Sequence, residues 1–461
     1  MSLWNIKQPH EDQPQGAAPA PVGPAALDER TAAEREAAKH ILDLKVSIHR
    51  SLLDKINLAA LDQLPHSQIR TDITEIVAEI LRSRGEPLNA QEREKLVSEV
   101  LDELLGLGPL EPLLKDETVT DVLVNGASEV FVERHGLLEP AATRFQDDRH
   151  LLRIIQKIVS AVGRRIDEAS PYVDPPPADG PRATAITPPL AIDGPALSIR
   201  KFAKKWISMD RLIELGTMPE AMAEVLKAIV RSRRNVLISG GTGSGKTTLL
   251  NAMSSYIGLR ERIITIEDSA ELQLQQEHVV RLETRPPNIE GKGEVSQRNL
   301  VKNSLRMRPD RIIVGEVRAG EAFDMLQAMN TGHDGSMTTV HANSPRDALS
   351  RVEQMIGMSG VDISSRSARA QIASAMNIVI QIERLIDGHR RIVSVQELTG
   401  MEGDVITMQE IFRFKLAGRD DKGRVLGHFE ATGIRPRFLS EAAAYGVELP
   451  AELFRPEVRL S

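Results

Sequence analysis

A glycine-rich motif in the second half of the chain constrains the fold more than any other feature. Residues 240–247 read GGTGSGKT and match the pattern G-x-x-x-x-G-K-[ST] at every fixed position. The apolar run 236–238 precedes the motif, and a stretch with helical character, 248–253, follows it. From about residue 218, short apolar strands such as 263–266, 312–314 and 337–340 alternate with helical stretches. This alternation predicts an α/β fold with a mainly parallel sheet and ligand chemistry at the carboxyl ends of its strands.

The composition of the motif predicts a phosphate site. Its glycines allow backbone N–H groups to converge on phosphate oxygens, and the helix that follows adds the positive end of its dipole. Lys246 would neutralise the β- and γ-phosphates, and the hydroxyl of Thr247 would ligate Mg²⁺. We therefore expect ATP and Mg²⁺ as ligands. The residues predicted to bind nucleotide are Gly240, Gly241, Thr242, Gly243, Ser244, Gly245, Lys246, Thr247 and Thr248. The alternative, a glycine-rich turn with an incidental lysine, does not explain the match at every position between a strand and a helix.

Two further strand ends supply carboxylates. The apolar strand 311–314 ends in Gly315 and Glu316, with glycine where many P-loop enzymes carry an aspartate. Glu316 is therefore assigned to the Mg²⁺ shell. The strand 263–266 ends in Glu267 and Asp268, either of which could polarise the attacking water. We predict Glu267 as the base. Glu271 is expected one turn into a helix, where acids favour the helix terminus and have only an electrostatic role.

Histidines and arginines complete the predicted site. His333 and His341 lie on either side of the threonine-rich strand 337–340; sensing of the γ-phosphate is favoured for His341, whereas a sensing and a structural role are equally supported for His333. Phosphoryl transfer also needs positive charge, which a neighbouring subunit often supplies. The candidate arginines are Arg200, Arg281, Arg285 and Arg318, of which Arg200 and Arg285 are predicted to be catalytic.

Composition excludes several other functions. The chain has no cysteine, so disulfides, thiolate metal sites and cysteine nucleophiles are excluded. Aromatic residues make up 3% and the net charge is −7, which argues against stable binding to nucleic acid. The first residues lack the apolar core of a signal peptide, and no window is apolar enough to span a membrane. We expect a cytoplasmic protein that associates with the membrane by binding a partner protein.

Changes in pattern along the chain divide it into five segments. We predict a disordered proline- and alanine-rich arm over 1–38, a helical bundle over 39–106, a small α+β domain over 107–203, a connection over 204–217 and an ATPase domain with a C-terminal extension over 218–461. The Asn125-Gly126 pair predicts a hairpin in the α+β domain.

Together these motifs resemble the secretion and pilus-assembly ATPase superfamily, and in particular the CpaF/TadA-type ATPases of tight-adherence (Flp) pili. The resemblance runs from about Leu110 to Arg384 and includes the glycine-rich loop, the acids at Glu267, the strand end at Glu316 and the histidine box from His333 to His341. It implies a hexameric ring of subunits, each with a PAS-like domain on a RecA-like motor domain and with ATP bound between them. It also implies that Arg200 contributes to nucleotide binding.

The chain departs from the family pattern at residues 173–182. The run Pro175 to Pro177 stands where the family has a β-hairpin that carries an arginine. Successive prolines cannot form interior ladder hydrogen bonds, so a regular hairpin is not expected there.

The resemblance leaves three functions to compare. The leading one is a motor that powers pilin assembly or secretion at the cytoplasmic face of the bacterial inner membrane, through a platform protein. The alternatives are a DNA-translocating or conjugation-type ATPase and a nucleotide switch without turnover. Two acid sites beside the loop favour hydrolysis over the switch.

Overall fold

The computed structural model describes residues 66–85, 89–134, 136–173, 182–201, 206–288, 291–456 and 459–460. The predicted N-terminal arm, the first part of the predicted bundle (39–65) and the proline run 175–177 lie outside these residues. The chain divides into two compact units, 1–111 and 112–461. Among the described residues, no helix is both long and apolar enough to cross a bilayer.

Within its described residues, the first unit contains the helices α1 (His66–Arg84) and α2 (Ala90–Leu104). Asn89 begins α2 with a capping box: its side chain accepts from the Glu92 N–H, and the Glu92 carboxylate accepts from the Asn89 N–H. Apolar residues at helical spacing form the shared core, with Val77 and Val100 fully buried. Both helices agree with the predicted bundle in the part of it that is described.

The second unit begins with an antiparallel sheet. Its strands are β1 (Val119–Asn125), β2 (Glu129–Arg134), β3 (Leu137–Pro140), β4 (Tyr172–Val173), β5 (Arg182–Ile186) and β6 (Ala196–Arg200). Their order is β3-β2-β1-β6-β5-β4. The predicted hairpin at Gly126 is confirmed, because β1 and β2 pair around a turn in which Gly126 has a φ of +69°. One face of the sheet is buried, as the alternating burial of β1, β5 and β6 shows.

A second sheet of ten strands carries the glycine-rich loop. Its strands are β7 (Val236–Ser239), β8 (Ile263–Glu267), β9 (Val279–Glu283), β10 (Arg311–Val314), β11 (Met337–Val340), β12 (Ile378–Arg384), β13 (Arg390–Glu402), β14 (Val405–Arg419), β15 (Val425–Ala431) and β16 (Arg459–Leu460). The parallel half has the order β9-β8-β10-β11-β7-β12, which confirms the predicted parallel sheet. The other four strands extend it with antiparallel pairs, which the weak periodicity after residue 400 did not predict.

Helices cover both faces of the large sheet. The remaining α-helices among the described residues are α3 (Glu111–Lys115), α4 (Asp148–Ala161), α5 (Met209–Glu214), α6 (Glu220–Arg231), α7 (Lys246–Ser254), α8 (Gln297–Ser304), α9 (Glu321–Asn330), α10 (Pro345–Met358), α11 (Ser365–Ala375) and α12 (Phe438–Ala442). One apolar core joins α5, α6, α7 and α12 to one face of the sheet, and a second joins α8 to α11 to the other. The predicted connection 204–217 therefore contains a helix, α5, whose Met209 and Leu212 belong to the core of the large sheet.

Candidate functional site

The glycine-rich loop connects the end of β7 to the start of α7. Gly243 and Gly245 have φ values of +68° and +97°, which L side chains rarely adopt. Gly240 needs glycine for a different reason: a Cβ there would lie 2.2 Å from the carbonyl oxygen of Ile382 in β12. The loop thus turns tightly into the N-terminus of α7, the backbone arrangement that cradles phosphate groups.

Lys246 lies over this loop. Its Nζ donates to the carbonyl oxygens of Gly240 and Gly241, each at 3.0 Å. Burial lowers the pKa of Lys246; Glu316 opposes this shift, and the positive charges of Arg200 and Arg318 add to it. Burial and neighbouring cations disfavour the protonated amine of Lys246. A phosphate anion bound at the loop would stabilise this protonated form.

Glu316 and Arg318 follow β10 into the same crevice. Arg318 donates from Nε and Nη2 to Oε2 of Glu316, at 3.0 and 2.6 Å, and its Nη1 lies 3.5 Å from Oδ2 of Asp268. A cavity of about 490 Å³ opens beside this pair, lined by Glu316, Val317, Arg318, His341 and Arg351. Asp268 after β8 and Glu316 after β10 therefore both contact Arg318, as expected for acids that follow neighbouring parallel strands.

Glu267 points into the protein, with 3% of the residue exposed. Its Oε1 accepts hydrogen bonds from the backbone N–H groups of Glu271 and Leu272, at 2.9 and 2.8 Å. Burial raises the pKa of Glu267 to about 7, although these two hydrogen bonds oppose the shift. Gly315 makes room for this side chain, since a Cβ on Gly315 would lie 3.1 Å from Cγ of Glu267.

The expectation that Glu271 lies in a helix is wrong. Residues 268–278 form no helix but an irregular loop, held by Glu267 and by the Gln273 N–H, which donates to Oδ1 of Asn251. Burial raises the pKa of Glu271, whereas the charges of Arg200 and Arg182 lower it. Glu271 is also one of the acids that raise the pKa of Lys246. The charge of Glu271 therefore acts on the loop lysine, and the assignment of the base stays a prediction.

The two histidines lie in different surroundings. Nδ1 of His341 lies 3.5 Å from the hydroxyl of Thr242 in the glycine-rich loop, a position compatible with the predicted sensing role. Nδ1 of His333 lies 3.2 Å from the carbonyl oxygen of Ala328 near the end of α9. That contact supports a structural role for His333, as a partner of the helix C-terminus.

The two predicted catalytic arginines also differ. Arg200 ends β6, and its charge acts on Lys246 and Glu271 of the same chain. Arg285 instead donates from Nε to the carbonyl oxygen of Gly293 at 2.7 Å, and its backbone forms a bridge with Val295. Its described hydrogen bonds lie within its own loop, so a role in catalysis stays a prediction.

Two arginines of the site were not predicted from the sequence. Arg390 donates from Nε to the carbonyl oxygen of Gly243 at 2.9 Å, and Arg384 lies against the same glycine. They belong to no motif, and Arg390 stands 147 residues after Gly243. Only the pairing of β12 with both β7 and β13 brings them to the loop.

The residues present fit a divalent cation that is shared with phosphate. No cluster of three or more acidic or histidine side chains able to hold a metal occurs in the described part of the chain. Mg²⁺ characteristically takes few protein ligands beside water and phosphate oxygens. Thr247 at the start of α7 and Glu316, whose charge acts on Lys246, would be those ligands.

Comparison with known proteins identifies the family. A profile of the family described as Type II/IV secretion system protein matches residues 103–414. A putative conjugal transfer protein of Mycobacterium tuberculosis is 40% identical over 309 residues, which cover 66% of this chain and 87% of that protein. Conjugal transfer protein TrbB of Rhizobium radiobacter is 36% identical over 301 residues, or 63% of this chain and 86% of TrbB. The crystal structure of the VirB11 ATPase from the Brucella suis type IV secretion system, in complex with sulphate, is 28% identical, with a TM-score of 0.34 over 63% of this chain and 96% of that one. This chain belongs to the Type II/IV secretion system protein family.

Proposed function

We propose that the protein hydrolyses ATP and uses the energy to drive protein assembly or secretion. The observation that supports this most strongly is the convergence of Lys246, Glu316 and Glu271 on the glycine-rich loop, since each of the three charges acts on another. A loop for phosphate alone needs only the lysine and the backbone amides. Acids from two further strand ends are what hydrolysis requires in addition.

Each residue has a distinct part in the proposed reaction. The backbone N–H groups of the loop and Lys246 bind the β- and γ-phosphates, and the buried surroundings strengthen that attraction. Thr247 and Glu316 would hold Mg²⁺, which supplies charge neutralisation when it is bound. Glu271 orients and deprotonates the attacking water, while Glu267 holds the loop that carries Glu271. Arg200 balances negative charge on the phosphates.

At the level of the assembly, we propose a hexameric ring that acts at the cytoplasmic face of the bacterial inner membrane on a platform protein of a Flp-type pilus. Membership of the Type II/IV secretion family supports a secretion ATPase. The pilus assignment rests on the resemblance of the motifs to CpaF/TadA-type ATPases, as do the ring and the pairing of a PAS-like with a RecA-like domain.

Conjugal transfer is the second candidate. Relatives of 40% and 36% identity carry that description, and they match over most of their length. Against direct DNA translocation stand the net charge of −7 and the 3% content of aromatic residues.

Phosphate release from ATP–Mg²⁺, measured with and without single- and double-stranded DNA, separates these functions. The proposed motor turns ATP over at a rate that DNA does not change. Stimulation by DNA would favour the translocating ATPase, and binding of ATP without release of phosphate would favour a switch.

A further inference from the structure

The hairpin formed by β12 and β13 ends beside the glycine-rich loop. Its last paired residues are Arg384 and Arg390, and both side chains reach Gly243. Arg390 donates from Nε to the Gly243 carbonyl oxygen at 2.9 Å. Nη1 of Arg384 would lie 3.4 Å from a Cβ placed on Gly243, within van der Waals contact of the loop. The loop is thus supported by two cations from a hairpin that follows it in the chain by more than 130 residues.

The hydrogen bond from Arg390 fixes the orientation of one peptide group in the loop. In a trans peptide the carbonyl and the following N–H point in opposite directions. Holding the carbonyl of Gly243 therefore sets the direction of the Ser244 N–H, which donates to the Gly241 carbonyl oxygen at 3.4 Å and closes the turn of the loop. Gly243 needs this support because a glycine is conformationally the least restricted residue.

Arg384 connects the same loop to the six-stranded sheet. Its Nη1 lies 3.3 Å from Oε1 of Glu133 in β2, with side-chain exposures of 26% and 18%. The guanidinium group of Arg384 also packs against the turn between β2 and β3. A Cβ added to Gly136 in that turn would lie 3.0 Å from Nη2 of Arg384, and Gly136 has a φ of +83°. Partly buried ion pairs are screened less than surface pairs, so loss of Glu133 is felt at Arg384.

We propose that Arg390 and Arg384 are positioning residues for the phosphate loop, and that the Glu133–Arg384 ion pair strengthens nucleotide binding by holding Arg384 beside the loop. The inference rests on the proposed function, because it concerns nucleotide bound at this loop. Without Glu133, Arg384 has no acid partner beside the turn at Gly136. The loop then loses a support that holds its amides in place before phosphate arrives.

The first test compares Arg390→Gln with Arg391→Gln. Arg391 is the neighbouring arginine of β13 and lies over the ring of Phe414 at 4.7 Å, so its loss removes the same charge without touching the loop. We expect Arg390→Gln to weaken ADP binding about ten- to hundredfold, the usual effect of losing a charged hydrogen bond. The KM for ATP should rise in proportion and kcat should change less, whereas Arg391→Gln should match the wild type. Arg390→Lys should recover part of the affinity. Unchanged ADP affinity in Arg390→Gln would overturn its role.

The second test is a double-mutant cycle of Arg384→Gln and Glu133→Gln, read as ADP affinity and as thermal midpoint. We expect Glu133→Gln to change affinity severalfold when Arg384 is present and not at all in the Arg384→Gln protein. Glu129→Gln, an exposed acid of the same strand, is the matched control and should have no effect. Additive effects on affinity with coupled effects on the thermal midpoint would mean a purely structural ion pair and overturn the proposal. A wild type that binds no nucleotide would overturn the proposed function as well, and the two failures are thereby distinguished.

Discussion

In the proposed mechanism, two glutamates four residues apart, Glu267 and Glu271, share the role that the sequence assigns to Glu267 alone. Glu267 is buried, and one of its carboxylate oxygens accepts hydrogen bonds from the backbone of the following loop. The charge of Glu271 raises the pKa of Lys246, and the charge of Arg200 lowers the pKa of Glu271. Because the Glu267 carboxylate accepts from the N–H of Glu271, the buried acid fixes the position of the acid that follows it.

Substitution of each acid by its amide tests this division. Glu271→Gln removes the base and should slow turnover about 10²- to 10⁴-fold while ATP–Mg²⁺ still binds. Glu267→Gln keeps an oxygen that can accept both backbone hydrogen bonds, so its turnover should fall much less. Steady-state rates and nucleotide affinities of the two variants, measured side by side, give the answer. The reverse ranking of the two rates would return the base to Glu267, as the sequence predicts.

The buried carboxyl also predicts a dependence of stability on pH. The pKa of Glu267 is about 7 in the folded chain against 4.5 for an ordinary glutamate, so the folded state binds the proton more tightly. This contribution to stability is complete below pH 4.5 and is lost as the pH rises through 7, with a total of up to about 3 kcal/mol. The difference in thermal midpoint between Glu267→Gln and wild type should therefore shift in favour of the variant from pH 5 to pH 8. A difference in thermal midpoint that does not change with pH would mean that Glu267 is charged in the folded state over the whole range from pH 5 to pH 8.

At this scale the sequence predicts residue types better than their roles. The glycine-rich loop and Glu316 could be predicted because their motif carries its own geometry. The sequence predicts Glu267 as the base and an electrostatic role for Glu271, because the space that Gly315 leaves for the Glu267 side chain in the neighbouring strand shows only in the structure. Acids after a strand are also typical of a helix N-terminus, which explains the wrong expectation for residues 268–278.

Among the elements, the contact between the glycine-rich loop and β12 determines how the phosphate site is built. Periodicity predicted the parallel strands, because a strand buried on both faces is a continuous apolar run. The antiparallel strands β13 to β15 carry charges on their exposed positions, so their sequence resembles a polar tail. Only the structure shows that this region begins with the hairpin that supports the loop.

Two adjacent glycines test that contact. A methyl group on Gly240 would meet the Ile382 carbonyl oxygen at 2.2 Å, whereas Gly241 has nothing within 4 Å of an added Cβ. Gly240→Ala should therefore destabilise the fold by about 1–3 kcal/mol and weaken nucleotide binding. Gly241→Ala should stay close to the wild type in thermal midpoint. Equal effects of the two substitutions would show that the loop does not pack on β12 as described.

In the proposed hexameric ring, the arrangement of arginines predicts which subunit each one serves. The charge of Arg200 acts on Lys246 of its own chain, whereas the hydrogen bonds of Arg285 lie in its own loop. We therefore expect mixed rings of Arg285→Gln and Lys246→Ala subunits to recover some turnover, because some interfaces then combine an intact loop with an intact Arg285. Mixed rings of Arg200→Gln and Lys246→Ala should recover none. Rescue by both mixtures would assign Arg200 to the neighbouring site too.

Phosphate release by the purified full chain, measured beside its Lys246→Ala variant, tests whether this loop hydrolyses ATP. Lys246 contacts only backbone carbonyl oxygens among its described hydrogen bonds, so the substitution should leave the thermal midpoint near that of the wild type. We predict ATP–Mg²⁺ turnover by the wild type and a loss of at least about 10²-fold in Lys246→Ala, comparable to the loss of one preorganised donor at a developing charge. Turnover by Lys246→Ala at the wild-type rate would contradict the assignment of the site.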